Sequence, residues 1–253
     1  MTQAIIASGF HAIQTVLNDD PQRINHVWLD KKRIDKRMHA LQQQLAQYTV
    51  TFQLTDKQQL DRISEGSHHQ GVVVELTVAS MHRESDLLNL LDSIHKPPLL
   101  LVLDQIQDPH NFGACLRTAD ATGVDGIIIS KDNSVGFTPT VLKISSGALD
   151  FVPVFQVTNL RRTLKAIQKK GVWIIGTSDA VAQSMYDTDL KGALAIVMGS
   201  EGAGIRRLTR DACDFLVNIP MLGQVESLNV SVATGVILYE ALRQRQTPSQ
   251  KNP

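Results

Sequence analysis

Three segments in the second half of the chain carry the residue types a polar reaction centre needs. LDQIQDPHNFGACLRTADATG (103–123) holds Asn111 and, six residues on, Arg117. VMGSEGAGIRRLT (197–209) sets Met198, Ser200 and Glu201 among Gly199, Gly202 and Gly204. IPMLGQVESLNVSVATGVILYEALRQR (219–245) opens on Ile219 and interleaves Ser227, Asn229 and Ser231 with Leu228 and Val230. A guanidinium only donates, a carboxylate only accepts, and an Asn or Ser does both. Such a set can orient a hydroxyl and stabilise charge that develops on it. All eight histidines lie at or before position 110, so chemistry housed in this half proceeds without imidazole.

Each segment also has a plainer reading. Asn111 follows the Asp108-Pro109 turn and is placed to cap a helix. Arg117 can be a surface ion-pair partner. The glycines can serve a simple strand-to-helix turn, and Ser227 or Asn229 can cap the last helix. The glycine spacing, GxxGxG after a late strand, is not the dinucleotide fingerprint, and no Lys-Ser/Thr follows to make a P-loop. Glycines do let a ligand approach the backbone, and a following helix N-terminus favours polar or anionic groups. Glu201 among them would repel a phosphate.

The elements that position these segments follow from periodicity. LLLVLD (99–104) is an unbroken apolar run, as in a strand buried on both faces. GIIIS (126–130), VPVFQ (152–156), VWIIG (172–176), LAIVM (194–198) and FLVNI (215–219) are further strands. Helices are predicted near 112–122, 138–147, 159–170, 205–213 and 229–245. Alternating β and α with apolar strands predicts an α/β domain over 98–253, built on a parallel sheet covered on both faces. Ligands bind beyond the carboxyl ends of such strands, where all three segments fall.

A smaller α/β unit is predicted over 1–78. Phe10, Ile13, Val16 and Leu17 recur at helical spacing, as do Ile34, Met38, Leu41 and Leu45. HVWLD (26–30), TVTFQ (49–53) and GVVVELTV (71–78) are strand-like. Thr55 and Gln58 look like a capping box for a helix opening at Asp56. Residues 79–97, with a polar stretch, a short amphipathic helix and Pro97-Pro98 after it, are expected to be a linker with a connecting helix.

Of the 253 residues, 43% are hydrophobic and 20% charged, which excludes disorder as the main state. No apolar run approaches the roughly 20 residues of a membrane span, and MTQAIIASGF is not expected to act as a secretory signal. Cys115 and Cys213 cannot form a disulfide framework, so a cytoplasmic home is expected. Twenty-five basic residues balance 25 acidic ones, so no general nucleic-acid coat is visible. Residues 1–80 are also neutral, with eight of each sign. Arg161, Arg162, Lys165, Lys169 and Lys170 form a local basic run, either a solvated helix face or an RNA contact.

In type, order and separation, Asn111 to Arg117, Gly199-Ser200-Glu201-Gly202 and Ser227-Leu228-Asn229-Val230-Ser231 resemble motifs 1, 2 and 3 of the SpoU (TrmH) family. These are SPOUT-class RNA 2′-O-ribose methyltransferases. GFHAIQTVL (9–17), HHQGVVVEL (68–76) and RRLTRDACDFLVNIPM (206–221) carry a resemblance to the family's 23S rRNA guanosine enzymes and their small substrate-binding domain. The resemblance implies a SPOUT-type parallel sheet with a C-terminal deep trefoil knot, preceded by a small RNA-binding domain. It implies an S-adenosyl-L-methionine pocket around Gly199, Ile219 and Leu228, with Met198, Ser200 and Gly202 beside them. It makes Arg117 the central catalytic group, with Asn111, Glu201, Ser227 and Asn229 completing a polar cluster. It implies a homodimer, no metal and no membrane. The implied reaction is 2′-O-methylation of a guanosine in the peptidyl-transferase region of 23S rRNA, on the RNA itself or on a large-subunit precursor. A tRNA 2′-O-methyltransferase of the same family, a non-catalytic RNA-binding module and a nucleotide-binding dehydrogenase are the alternatives.

Overall fold

The computed structural model describes residues 2–200 and 202–246. The chain divides into two compact units. One holds the residues up to Ser80 together with Phe137–Lys143; the other holds Met81–Gly136 and the chain from Ile144 onward.

The first unit runs β1 (Thr2–Ser8), α1 (Phe10–Asp19), β2 (Ile24–Asp30), α2 (Lys36–Gln47), β3 (Gln53–Thr55), α3 (Lys57–Ile63) and β4 (Val72–Ala79). The strands pair in the order β1-β4-β2-β3. β4 is antiparallel to both β1 and β2, while β3 joins β2 in parallel. Phe10, Ile13 and Leu17 of α1, with Met38, Leu41 and Leu45 of α2, bury their i, i+3, i+4 faces against the strands.

Several sequence expectations shift here. β1 had no predicted counterpart; it ends at Gly9, whose φ of 90° turns the chain into α1. The third strand is Gln53–Thr55, not 49–53. Thr49 takes φ 60°, and Val50 and Phe52 pack on the core instead of pairing. Asp56, not Thr55, caps α3, accepting from the Gln59 N–H at 3.0 Å. Ile34 is 78% exposed because α2 begins only after Asp35, its cap.

The second unit runs α4 (Glu84–Ser93), β5 (Leu99–Leu103), α5 (Pro109–Ala121), β6 (Gly126–Ser130), the end of α6 (Pro139–Ser145, whose residues up to Lys143 are assigned to the first unit), β7 (Val154–Val157), α7 (Leu160–Gln168), β8 (Trp173–Thr177), β9 (Leu194–Met198), α8 (Arg207–Arg210), β10 (Phe215–Val217) and α9 (Val230–Gln246). Its strands form a parallel sheet in the order β10-β8-β9-β5-β6-β7. Every residue of β5, β6 and β9 is buried, as their uninterrupted apolar runs require. Leu160, Leu164 and Ile167 of α7 pack on Leu100, Val102 and Ile128. Truncating Leu164 to Ala would cost about 2–5 kcal/mol in such a setting.

The stretch read as a linker is largely part of this unit. His82 donates its N–H to the Val154 carbonyl at 2.7 Å and accepts from the Gln156 N–H at 2.9 Å. Leu87 of α4 is fully buried in the same core. The basic run on α7 is partly neutralised from α4: Arg162 pairs with Glu84 at 2.6 Å, and Lys170 with Asp92. Arg161, Lys165 and Lys169 make no ion pair among the described residues.

α9 packs on α5, with the Cys115 thiol 3.5 Å from the Thr234 hydroxyl. Its far end is held by Arg245, which donates to the carbonyls of Leu190, Pro97 and Pro98 at 3.0–3.2 Å. Burial holds the Arg245 guanidinium below its ordinary pKa. Among the described residues no helix is long and apolar enough to cross a membrane.

Candidate active site

β9 delivers the chain to Gly199 at the carboxyl end of the sheet. A Cβ there would lie 2.0 Å from the carbonyl carbon of Gly204 and 2.3 Å from the nitrogen of Ile205. No side chain fits, and the loop can close only on a glycine. Ser200 and Gly204 exchange two backbone hydrogen bonds, at 3.1 and 2.9 Å. Gly204 itself takes φ 64°, a left-handed turn that an L side chain rarely adopts.

The loop is fastened at its exit. Asp104, the residue that ends the β5 run, is 1% exposed. It accepts from the Arg206 N–H at 3.0 Å and from its Nε at 2.8 Å, with Nη2 at 2.6 Å. The Asp104 N–H donates in turn to the Met198 carbonyl at 2.8 Å. A charge-assisted fork of this kind fixes orientation as well as energy. It ties the ends of β5 and β9 to the glycine loop.

The third segment returns to this place. Residues 227–230 precede and open α9, and Asn229 caps it. Its Oδ1 accepts from the N–H and hydroxyl of Ser231 at 2.9 and 2.6 Å. Its Nδ2 donates to Asn111 Oδ1 at 3.0 Å. Asn111 is therefore not the cap of α5. Pro109 takes the first helical position, as prolines prefer, and Asp108 caps by accepting from the His110 N–H at 3.0 Å. That leaves Asn111 inside the first turn, 8% exposed and bonded across to α9.

A cavity of about 310 Å³ opens beside the glycine loop. Met198, Gly199, Ser200, Gly202, Ile219 and Leu228, the six predicted cofactor residues, all line it, and so does Ser227. Its far wall is Thr177–Ala180 at the end of β8. Asp179 and Glu226 bring carboxylates, and Arg210 a guanidinium. Where a Cβ on Gly202 or Gly204 would stand there is nothing within 4 Å, so the backbone is open to a ligand. Ligand sites usually occupy about 300–1,000 Å³ and mix apolar walls with a few polar groups; this cavity does both.

Arg117 makes no hydrogen bond to the Asn111–Asn229 pair. It is exposed, and its Nη1 makes a long 3.5 Å contact with the Ser146 hydroxyl. Glu201 lies outside the described residues. Neither cysteine is a nucleophile at neutral pH: burial pushes the Cys115 thiol up to about 11. Burial, then Asp214 and Asp104, push Cys213 up to about 12. Among the described residues no three His, Cys, Asp or Glu side chains gather to hold a metal ion.

Sequence reasoning gave no role to the Asp104–Arg206 clamp, the Thr177–Ala180 wall or Glu226. A polar residue closing a fully apolar run was the visible signal for Asp104. Its partner lies 102 residues away, with no local pattern to announce it.

The chain matches two family models. One describes the SpoU rRNA methylase family and covers residues 98–239. The other describes an RNA 2′-O ribose methyltransferase substrate-binding domain and covers 6–81. A 23S rRNA (guanosine-2′-O-)-methyltransferase RlmB from Shewanella oneidensis is 50% identical over 247 residues, 98% of this chain and all of the relative. One of the same name from Ralstonia nicotianae is 48% identical over 251 residues, 99% of this chain and all of that one. The crystal structure of the SpoU methyltransferase AviRb from Streptomyces viridochromogenes, in complex with the cofactor AdoMet, covers 96% of this chain and 90% of its own. It aligns with a TM-score of 0.68 at 23% identity, a likeness of fold alone.

Proposed function

The chain belongs to the SpoU rRNA methylase family, and from that premise we propose that it methylates a guanosine 2′-hydroxyl in 23S rRNA with S-adenosylmethionine as donor. The observation that carries the reaction is the meeting of three stretches at one cavity: the end of β8 at Thr177–Ala180, the glycine loop, and the run from Ile219 to Val230. The substrate rests on the likeness to 23S rRNA guanosine enzymes along nearly the whole chain.

The residues present fit the cofactor. Met198, Ile219 and Leu228 would wall the adenine, while open backbone at Gly202 and Gly204 would take its polar edges. Asp179 and Glu226 suit a ligand that carries cationic groups. Bound there, S-adenosylmethionine supplies a methyl group on a sulfonium that is already a good leaving group. The remaining difficulty is the ribose hydroxyl, a weak nucleophile while protonated. Arg117 donates hydrogen bonds to the oxygen as negative charge develops on it. A guanidinium is a donor only, so the proton departs to a phosphate or water. Asn111, fixed by Asn229, orients the ribose, with Ser227 and Glu201 completing the polar set.

Four further features belong to this reading. The final segment is tucked into a deep trefoil knot; Leu228 and Val230 share their cavity with the ends of β8 and β9. The protein works as a homodimer, for which exposed Val232 and Tyr239 on α9 offer an apolar face. The target lies in the peptidyl-transferase region, on 23S rRNA or a large-subunit precursor. The protein acts in the cytoplasm, where that RNA is.

Transfer of labelled methyl to unmodified 23S rRNA, with tRNA in parallel, tests the proposal. One 2′-O-methylguanosine in 23S rRNA, found by nuclease digestion and mass spectrometry, is the expected product. Label in tRNA alone, or none with either RNA or with large-subunit precursor particles, would refute it.

A further inference from the structure

Neutrality of the first unit conceals a segregation of its charge. Of the eight basic residues in 1–80, five fall within seven positions: Lys31, Lys32, Arg33, Lys36 and Arg37. Asp35 is the single acid among them. These residues form the β2–α2 turn and the first turn of α2.

The turn is held rigidly. Asp30 accepts from the Lys32 N–H at 2.9 Å, and its carbonyl accepts from the Arg33 N–H at 3.1 Å. Asp35 accepts from the Met38 N–H at 2.9 Å and from Arg33 Nε at 2.6 Å. Arg33 also donates to the Gln70 carbonyl. The guanidinium carbons of Arg33 and Arg37 lie 4.7 and 4.4 Å from the centre of the buried Phe10 ring. Arg37 is itself exposed, so its guanidinium sits over Phe10 yet is open to solvent. Lys32 and Lys36 are exposed and make no ion pair among the described residues.

A second loop adjoins this turn. His68 and Gln70 are exposed; the His68 backbone carbonyl and the Gln70 side-chain oxygen both approach the Cβ position of Gly9, next to Phe10. His69 between them is buried and anchors the loop. Its Nδ1 accepts from the Gly71 N–H at 2.9 Å, which leaves Nε2 to donate to Asp61 at 2.9 Å. The result is a surface with free cations, a guanidinium seated over Phe10, exposed Ile34, and a loop whose exposed His68 and Gln70 can both donate and accept.

Resting on the function proposed above, we infer that this surface grips a single-stranded segment of the rRNA substrate. Lys32 and Lys36 take phosphates, Arg37 offers a stacking plane, and His68 and Gln70 read base edges. Single-stranded RNA is the occupant that uses every part. Its splayed bases stack on arginine planes and expose their hydrogen-bonding edges, whereas duplex RNA is recognised through shape, phosphates and 2′-hydroxyls.

The test is binding of the full-length triple variant Lys32→Gln, Lys36→Gln, Arg37→Gln to in vitro transcribed 23S rRNA between 50 and 200 mM salt. Each lost phosphate contact should lower the salt slope by about 0.7. Affinity near 0.1 M salt is expected to fall at least about tenfold. KM for RNA should rise, with kcat at saturating RNA and S-adenosylmethionine affinity unchanged. The double variant Lys32→Gln, Lys36→Gln, which keeps Arg37 on Phe10, should show a smaller loss of the same kind. Unchanged affinity and salt slope in the triple variant would overturn the inference while leaving the reaction standing. Wild-type protein that bound 23S rRNA through this turn yet transferred no methyl would overturn the reaction and support the surface.

Discussion

In the second unit Asp104 is buried, and the arginine that neutralises it is 102 residues away. In the first unit five cations crowd into seven consecutive positions, and three of them, Lys32, Lys36 and Arg37, are exposed and unpaired by any acid among the described residues. The contrast separates two tasks. Groups that hold a small ligand must be preorganised and dry, so the fold assembles them from distant segments. Groups that hold a polyanion need exposure and charge density, which one turn can supply. Changes in the second unit should therefore cost structure and turnover, and changes in the first should cost RNA affinity in a salt-dependent way.

The largest effect is expected at Gly199. With a Cβ only 2.0 Å from Gly204 backbone, Gly199→Ala must open the loop and spoil the cavity. S-adenosylmethionine binding measured by calorimetry should fall by more than about a hundredfold, since the clash is with backbone that no rotamer change can relieve. Wild-type affinity would mean that the loop's closure is irrelevant to the ligand. Arg117→Ala comes next. Loss of a donor to developing negative charge typically costs about 10²–10³ in kcat. Because Arg117 is exposed with one long contact, its melting temperature should hardly move. A large drop in stability with little change in kcat would invert the comparison and make Arg117 a structural residue.

How much of this could be read beforehand differs between the units in the same way. The five-residue runs of β5, β6 and β9 were legible because full burial leaves no polar position to interrupt them. β3 was misplaced because Val50 and Phe52 bury side chains without joining the ladder, which apolar pattern alone cannot tell from a strand. β1 went unread for want of a strong apolar run or a flanking turn before Gly9. At the site, residue types pointed to three weak motifs, each with a bland alternative. Asn229 did cap its helix, as one of those alternatives held. The hydrogen bond from Asn229 to Asn111 spans 118 positions, a separation that no local spacing encodes; the family resemblance was what joined the segments. The turn at 31–37 was legible as charge but was lost in a domain-wide sum.

A smaller effect is expected at Asn229. Asn229→Ala removes the cap of α9, worth about 1–2 kcal/mol, together with the hydrogen bond that holds Asn111. Stability by denaturant titration should fall by that amount, and kcat should fall with it because Asn111 loses its orientation. Asn229→Ser restores a cap but cannot reach Asn111 in the same way. It should recover the stability and not the turnover; recovery of both would show that the cap alone matters.

The smallest effect tests the first unit from the opposite side. Asp35 is held below the ordinary carboxylate pKa of 3.8, chiefly by the Met38 N–H and then by Arg33. A depressed carboxylate contributes stability that is present above its unfolded pKa and is lost as pH falls through the folded value. Asp35→Asn keeps a side chain that caps about as well but removes the titration, so the acid limb of the stability curve below about pH 4 should flatten. At neutral pH the fold should be nearly unchanged. The same substitution deletes the one acid in the turn and frees Arg33 from its ion pair. Affinity for 23S rRNA should then rise modestly, about two- to fourfold near 0.1 M salt, with a steeper salt slope. If binding weakens instead, the fixed geometry of Arg33 matters more than the charge it gains, and the first unit too would depend on preorganised contacts rather than on charge density.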